Sequence, residues 1–156
     1  MVGLITCVLS GCGEPNAPKA SANDRVNLIC ANAAPALKAI RADQRSTLAG
    51  FRRGTVGRET ALDHLYADFD QLGALTTEIS RDISRLAIEP AERERIAPVV
   101  RAYRELGDVA GLAADAIAAR DLKRFTAHQT RAVARSKALS RAATRALGSS
   151  ACGLGA

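Results

Sequence analysis

The side chains able to do chemistry in this 156-residue chain are few, and their spacing limits what they can do. There are two histidines, His64 and His128, four cysteines, Cys7, Cys12, Cys30 and Cys152, and one methionine, Met1. A di-iron centre inside a helical bundle needs repeated Glu-x-x-His pairs on facing helices. Here Glu59, Glu78 and Glu105 are followed at the third position by Leu62, Arg81 and Asp108. The Cys-x-x-Cys-His pattern for covalent haem is also missing. Met1 supplies no thioether ligand within the body of the chain. Asp63, Asp68 and Asp70 gather near His64, but on a helix positions 63 and 70 share a face while 68 diverges, so no compact cation site results. No Gly-x-Ser-x-Gly, phosphate-cradling loop or dinucleotide fingerprint occurs. Serines and threonines lack a histidine at useful spacing, and Cys30 has no evident base. The expectation is a non-enzymatic protein with no metal and no cofactor.

The opening stretch has a different character. Residues 1–11 carry no charge, and Val2, Leu4, Ile5, Val8 and Leu9 form a short apolar run. It is well below the ~20 residues that span a bilayer, and its length suits the core of a signal peptide. Leu9, Ser10, Gly11 and Cys12 resemble the lipobox of bacterial lipoproteins, position by position. The resemblance covers only the first dozen residues. It implies cleavage between Gly11 and Cys12, a thioether-linked diacylglycerol and fatty acylation on Cys12, and anchoring to the bacterial membrane outside the cytoplasm. Leaders of that family normally open with Lys or Arg, which this one lacks, so a start further upstream is expected. Under this reading Cys7 leaves with the lead and Cys12 takes the lipid. Cys30 and Cys152 then remain as an even pair in an oxidising compartment, and the resemblance implies a disulfide between them. Without export both would be small buried hydrophobes.

The body must position whatever function exists. Hydrophobic residues make up 47% of the chain, aromatics only 3%, so the core has to be built from Ala, Leu, Ile and Val. That composition suits closely approaching helices. Arginine outnumbers lysine 18 to 4, which alongside abundant alanine reads as the codon bias of a GC-rich genome. Residues 12–23, with two prolines and no apolar period, read as a flexible tether. One domain, 24–156, is expected beyond it, ending in a cysteine-bearing tail.

Apolar residues then recur at steps of three and four along four segments. The first, 24–53, is capped by Asp24 and carries Val26, Cys30, Ala33, Leu37, Ile40, Gln44, Leu48 and Phe51 on one face, with Pro35 expected to kink or restart it. Gly54 and Gly57 supply a turn able to take positive φ. The second, 58–87, has the most regular stripe: Leu62, Leu65, Phe69, Leu72, Thr76, Ile79, Ile83 and Leu86. The third, 90–119, opens on Pro90 and carries Ile96, Val99, Tyr103, Leu106, Ala110, Ala113 and Ile117, with a bend expected at Pro98. Gly107 and Gly111 either admit a close neighbour or merely soften this helix. The fourth, 121–147, capped by Asp121 and stopped by Gly148, carries Leu122, Phe125, Gln129, Ala132, Ser136, Leu139, Ala143 and Ala146. No Gly or Pro breaks the joint near Arg120, so one long rod is the alternative to two helices. Matched lengths of ~40–45 Å and short connections favour an all-α, up-down-up-down four-helix bundle. That topology puts Cys30 and Cys152 at the same end.

The charge is uneven. The chain carries net +6, but residues 120–147 alone carry +7, from Arg120, Lys123, Arg124, Arg131, Arg135, Lys137, Arg141 and Arg145 against the single acid Asp121. All eight fall opposite the apolar stripe. This basic face is either a solvated surface paired to acids on neighbouring helices or a docking surface for an anionic envelope surface or an acidic protein. No aromatic is placed there to stack on bases, so nucleic acid is not an expected partner. Two functions remain in view: a membrane-anchored binding module using the basic face, and a small-ligand or sensor bundle with a cavity between its helices. The oligomeric state is not legible.

Overall fold

The computed structural model describes residues 20–153. The lipobox residues, with Gly11 and Cys12, and most of the expected tether lie outside the described residues. The described chain is four helices with no strand: α1 (Ala22–Arg52), α2 (Arg58–Ser84), α3 (Pro90–Ala118) and α4 (Leu122–Leu147). They form an all-α four-helix bundle in which each helix packs on the next in sequence, α1 on α2, α2 on α3 and α3 on α4. The last side of the square differs, because α1 and α4 do not form a packed pair of that kind.

The caps explain the boundaries. α1 starts two residues before the expected Asp24. Ser21 is the true N-cap, and its hydroxyl accepts from the Asp24 amide (3.2 Å) while the Asp24 carboxylate accepts from the Ser21 amide (3.1 Å). Asp24 is thus the third residue of a capping box rather than the cap. Pro35 neither breaks nor restarts α1, which runs through it. Both Pro35 and Ala31, whose carbonyl loses its amide donor, are exposed, so the lost bond falls on the solvent side of the helix. Pro98 in α3 is likewise exposed and within a continuous helix.

α2 ends at Ser84, three residues short of the expected 87. Glu89, the residue before Pro90, takes extended backbone and serves as the N-cap of α3. The resulting link is held by arginines. Arg25 donates to the Ala87 carbonyl (2.9 Å), and Arg93 donates to the carbonyls of Ser84 (3.3 Å) and Leu86 (3.4 Å). Gly54 takes the positive φ of the first turn, whereas Gly57 is extended and caps α2.

α3 and α4 are two helices. The Arg120 amide donates to the Ile117 carbonyl and the Asp121 amide to Ala116 (both 2.9 Å), the paired bonds of a Schellman stop. The left-handed position that usually holds glycine is occupied by Arg120 at φ 55°. Asp121 then caps α4, accepting from the Arg124 amide at 2.9 Å. At the far end Gly148 takes φ 62°, and Arg95 of α3 donates to the Ala146 carbonyl (3.0 Å). A cation there complements the negative end of the helix dipole.

The stripes of α2 and α3 form the centre of the core, with Ile79, Ile83, Ile96, Val99, Tyr103, Leu106 and Ile117 almost fully buried. Each such aliphatic side chain contributes ~1.5–3 kcal/mol. α2 and α3 also approach closely. A Cβ on Gly107 would lie 2.8 Å from the Thr77 hydroxyl and 3.3 Å from the Gly73 carbonyl, while one on Gly111 would meet nothing within 4 Å. The two glycines therefore predict opposite effects. Gly107→Ala is expected to lose about 1 kcal/mol, because overpacking outweighs the gain in helix propensity. Gly111→Ala is expected to gain ~0.5–1 kcal/mol. Denaturant unfolding of the two variants checks the difference in sign.

Candidate functional site

The open side between α1 and α4 is the most distinctive feature of the molecule. A cleft of about 830 Å³ runs along it. Its floor is the apolar inside of the bundle: Leu65, Phe69 and Leu72 of α2 and Leu106 of α3. Phe69 is steadied from behind by Phe125, with ring centroids 5.6 Å apart and planes at 83°, an edge-to-face pair. One wall is α1, with Arg41, Gln44, Arg45 and Leu48; the other is α4, from Gln129 to Thr144.

Two ties across the seam join described residues. At one end the sulfurs of Cys30 and Cys152 sit at bonding distance, 1.96 Å, with Cα atoms 4.9 Å apart. Both residues are buried, and the Tyr103 hydroxyl donates to the Cys152 carbonyl at 2.9 Å. Burial pushes the Tyr103 pKa up, so this hydroxyl keeps its proton. Midway along, an Arg41 Nη donates to the Ser136 hydroxyl at 2.6 Å, crossing from α1 to α4. Ser150 and Gly153, either side of Cys152, line the cleft at the tied end.

The cleft is electrostatically one-sided. Among the described residues, Arg41, Arg45, Lys137 and Arg141 line it and no Asp or Glu does. Burial lowers the pKa of Arg41 from its ordinary value, and the charge of Arg45 lowers it further. Arg41 nevertheless stays protonated at physiological pH. The side-chain nitrogen of Gln44 is buried without a hydrogen-bond partner among the described residues.

The eight basic residues from 120 to 145 are all exposed, and their surroundings diverge. Arg120 lies outside α4 and pairs with Glu59 (2.6 Å) and Asp63 (3.9 Å) of α2. Arg135 pairs with Glu105 of α3 at 2.9 Å. These exposed pairs are worth ~0–1 kcal/mol each. Lys137 and Arg141 turn to the cleft, while Lys123, Arg124, Arg131 and Arg145 remain on the outer surface. His64 is exposed, whereas His128 is buried with its Nδ1 lacking a hydrogen-bond partner among the described residues. Asp68 is half-buried; desolvation and then Asp43 raise its pKa, and His64 partly offsets them. None of these three lines the cleft. Among the described residues no three His, Cys, Asp or Glu side chains converge on a metal site, and no helix is long and apolar enough to cross a membrane.

The wall formed by α1 was missed by sequence reasoning. Gln44, Leu48 and Phe51 continue its apolar stripe on paper, yet Thr47 and Gly50 are the buried residues of the last turns and Phe51 is 47% exposed. The signal was present in the polar interruptions. Gln44 in the first stripe, and Gln129 and Ser136 in the fourth, all line the cleft. No protein-family model matches the chain, nor does any curated protein or solved structure.

Proposed function

We propose that this protein is a non-enzymatic binding module whose ligand site is the cleft between α1 and α4. A small molecule with an apolar body would lie on Leu65, Phe69, Leu72 and Leu106. The observation that carries this reading is a packed bundle core left open along one side in a cleft of about 830 Å³. Sites for single small ligands are typically ~300–1,000 Å³ and mostly apolar with a few polar groups. We further propose lipid anchoring at Cys12 outside the cytoplasm. The lipobox resemblance supports it, and the bonded Cys30 and Cys152 are compatible with such a compartment. Mass spectrometry of the mature protein from its host tests the anchor by reporting cleavage and acylation together.

The ligand site is tested with the neutral apolar dye N-phenyl-1-naphthylamine. Fluorescence is expected to rise saturably with one dye per chain. Gln129→Trp, which fills the half-buried rim, is expected to weaken binding by ~10-fold or more, about 1.4 kcal/mol, with helicity unchanged. A non-saturating response, or one indifferent to this variant, overturns the reading. A second reading is favoured by Lys123, Arg124, Arg131 and Arg145, which stand exposed on the outer face of α4. These would dock on anionic head groups, and binding to anionic but not neutral vesicles, weakening with salt, is its expected signature.

A further inference from the structure

We infer that the end of the bundle carrying the two short links, 53–57 and 119–121, is a tip that docks on an anionic lipid surface. Phe51 and Leu122 enter the head-group layer, and Arg52, Arg53, Lys123 and Arg124 meet its charges. The tip is separate from the cleft, whose lining on α1 goes no further than Leu48 and on α4 begins at Gln129.

The fold gathers these residues. The first link joins α1 to α2 and the second joins α3 to α4. Arg120 of the second link pairs with Glu59 of α2 at 2.6 Å, so both links share one end of the molecule. Phe51 is the last residue but one of α1, and Leu122 is the first of α4. They stand 47% and 39% exposed, although each continues the apolar stripe of its helix. Arg52, Arg53, Lys123 and Arg124 flank them in sequence and are exposed. None of the four makes a side-chain ion pair or hydrogen bond among the described residues. The acids of this end are placed elsewhere: Glu59 and Asp63 pair with Arg120, Asp115 lies on α3, and Asp121 caps α4.

The make-up of the tip selects its partner. Protruding apolar side chains ringed by cations suit the boundary of an anionic bilayer, where the apolar groups enter shallowly and the cations stay with the head groups. Each cation held near such a surface tightens binding about fivefold. Size argues against a protein partner. Four helices packed ~10 Å apart make an end about 20 Å square, or roughly 400 Å², whereas a stable protein interface takes about 800 Å² from each side. A lipid surface sets no such minimum area, because each inserted side chain and each cation contributes by itself.

The test uses tryptophan as a local reporter, since the chain has none of its own. Phe51→Trp at the tip and Ala134→Trp on the exposed side of α4 are each made in the full chain. Vesicles of phosphatidylcholine, with or without phosphatidylglycerol, are then added. Emission of the Phe51→Trp protein is expected to shift to the blue with the anionic vesicles only. Bromine on the acyl chains should quench it, and salt should reverse the shift. Emission of the Ala134→Trp protein is expected to stay unshifted. Adding Arg52→Glu with Lys123→Glu to the Phe51→Trp protein is expected to weaken binding ~25-fold or more, with helicity unchanged. A shift at Ala134→Trp overturns the end-on seat; if Phe51→Trp is then silent, docking by the outer face of α4 stands in its place. Equal shifts on neutral vesicles overturn the anionic partner. Silence of both reporters overturns lipid docking altogether. A shift of the Phe51→Trp emission by poly-glutamate and not by vesicles identifies an acidic polypeptide as the partner and overturns the inference.

Discussion

Reduction of the bond between Cys30 and Cys152 is expected to lower the unfolding free energy by about 4–5 kcal/mol. The two residues are 122 apart in sequence, so the bond closes nearly the whole described chain into one loop. In the chain-entropy account, the stabilisation comes from the conformations that closure removes from the unfolded state, and it grows with the logarithm of loop length. The native structure adds a reason why little compensates for its loss. α1 and α4 lack a packed interface, so the sulfurs are a principal tie across that side. For a domain of this size the change corresponds to a melting temperature lower by roughly 10–20 °C. Guanidinium unfolding with and without reductant, and of the double variant Cys30→Ala with Cys152→Ala, measures it. The slope m should rise on reduction, because the unfolded chain is no longer closed and exposes more surface. A loss below ~1 kcal/mol would mean that the bond constrains neither state.

Phe69→Ala is expected to cost about 3 kcal/mol, the low end of the ~3–5 kcal/mol usual for truncating a buried phenylalanine. Phe69 is only 4% exposed and makes the edge-to-face contact with Phe125, which adds ~0.5–1.5 kcal/mol to simple burial. The low end applies because Phe69 also lines the cleft. The space left by truncation joins a cleft that solvent reaches, so part of the cavity cost is relieved. The same change should deepen the floor and weaken binding of the dye. Denaturant unfolding and dye titration on one variant read both effects.

Much of this arrangement is legible in the sequence where a single force dominates. The α2 and α3 stripes are buried nearly position for position, because both helices sit between two neighbours and a simple apolar face is what that environment demands. Gly148 and Asp121 act as expected, since left-handed backbone and an N-cap each favour few residue types. Legibility fails where two forces compete. Arg120 adopts the left-handed stop that its side chain does not favour, because the Schellman bonds and the following Asp121 cap hold it there. Ser21 displaces Asp24 as cap because a capping box uses both residues, and either alone gives the same local signal. α1 and α4 carry ordinary amphipathic stripes with Gln and Ser embedded in them. In one dimension such residues look like defects of a core face. In the bundle they mark the one side where that face is left without a partner helix.

The central claim is that the open side of the bundle, and not the outer surface of α4, receives the ligand. The most direct measurement is a ¹⁵N–¹H NMR titration of the intact protein with N-phenyl-1-naphthylamine. The account predicts shifts concentrated on both walls, at positions 41–48 of α1 and 129–144 of α4, with matching changes at Leu65, Phe69 and Leu72. Shifts centred on Lys123, Arg124, Arg131 and Arg145, with α1 silent, would contradict it.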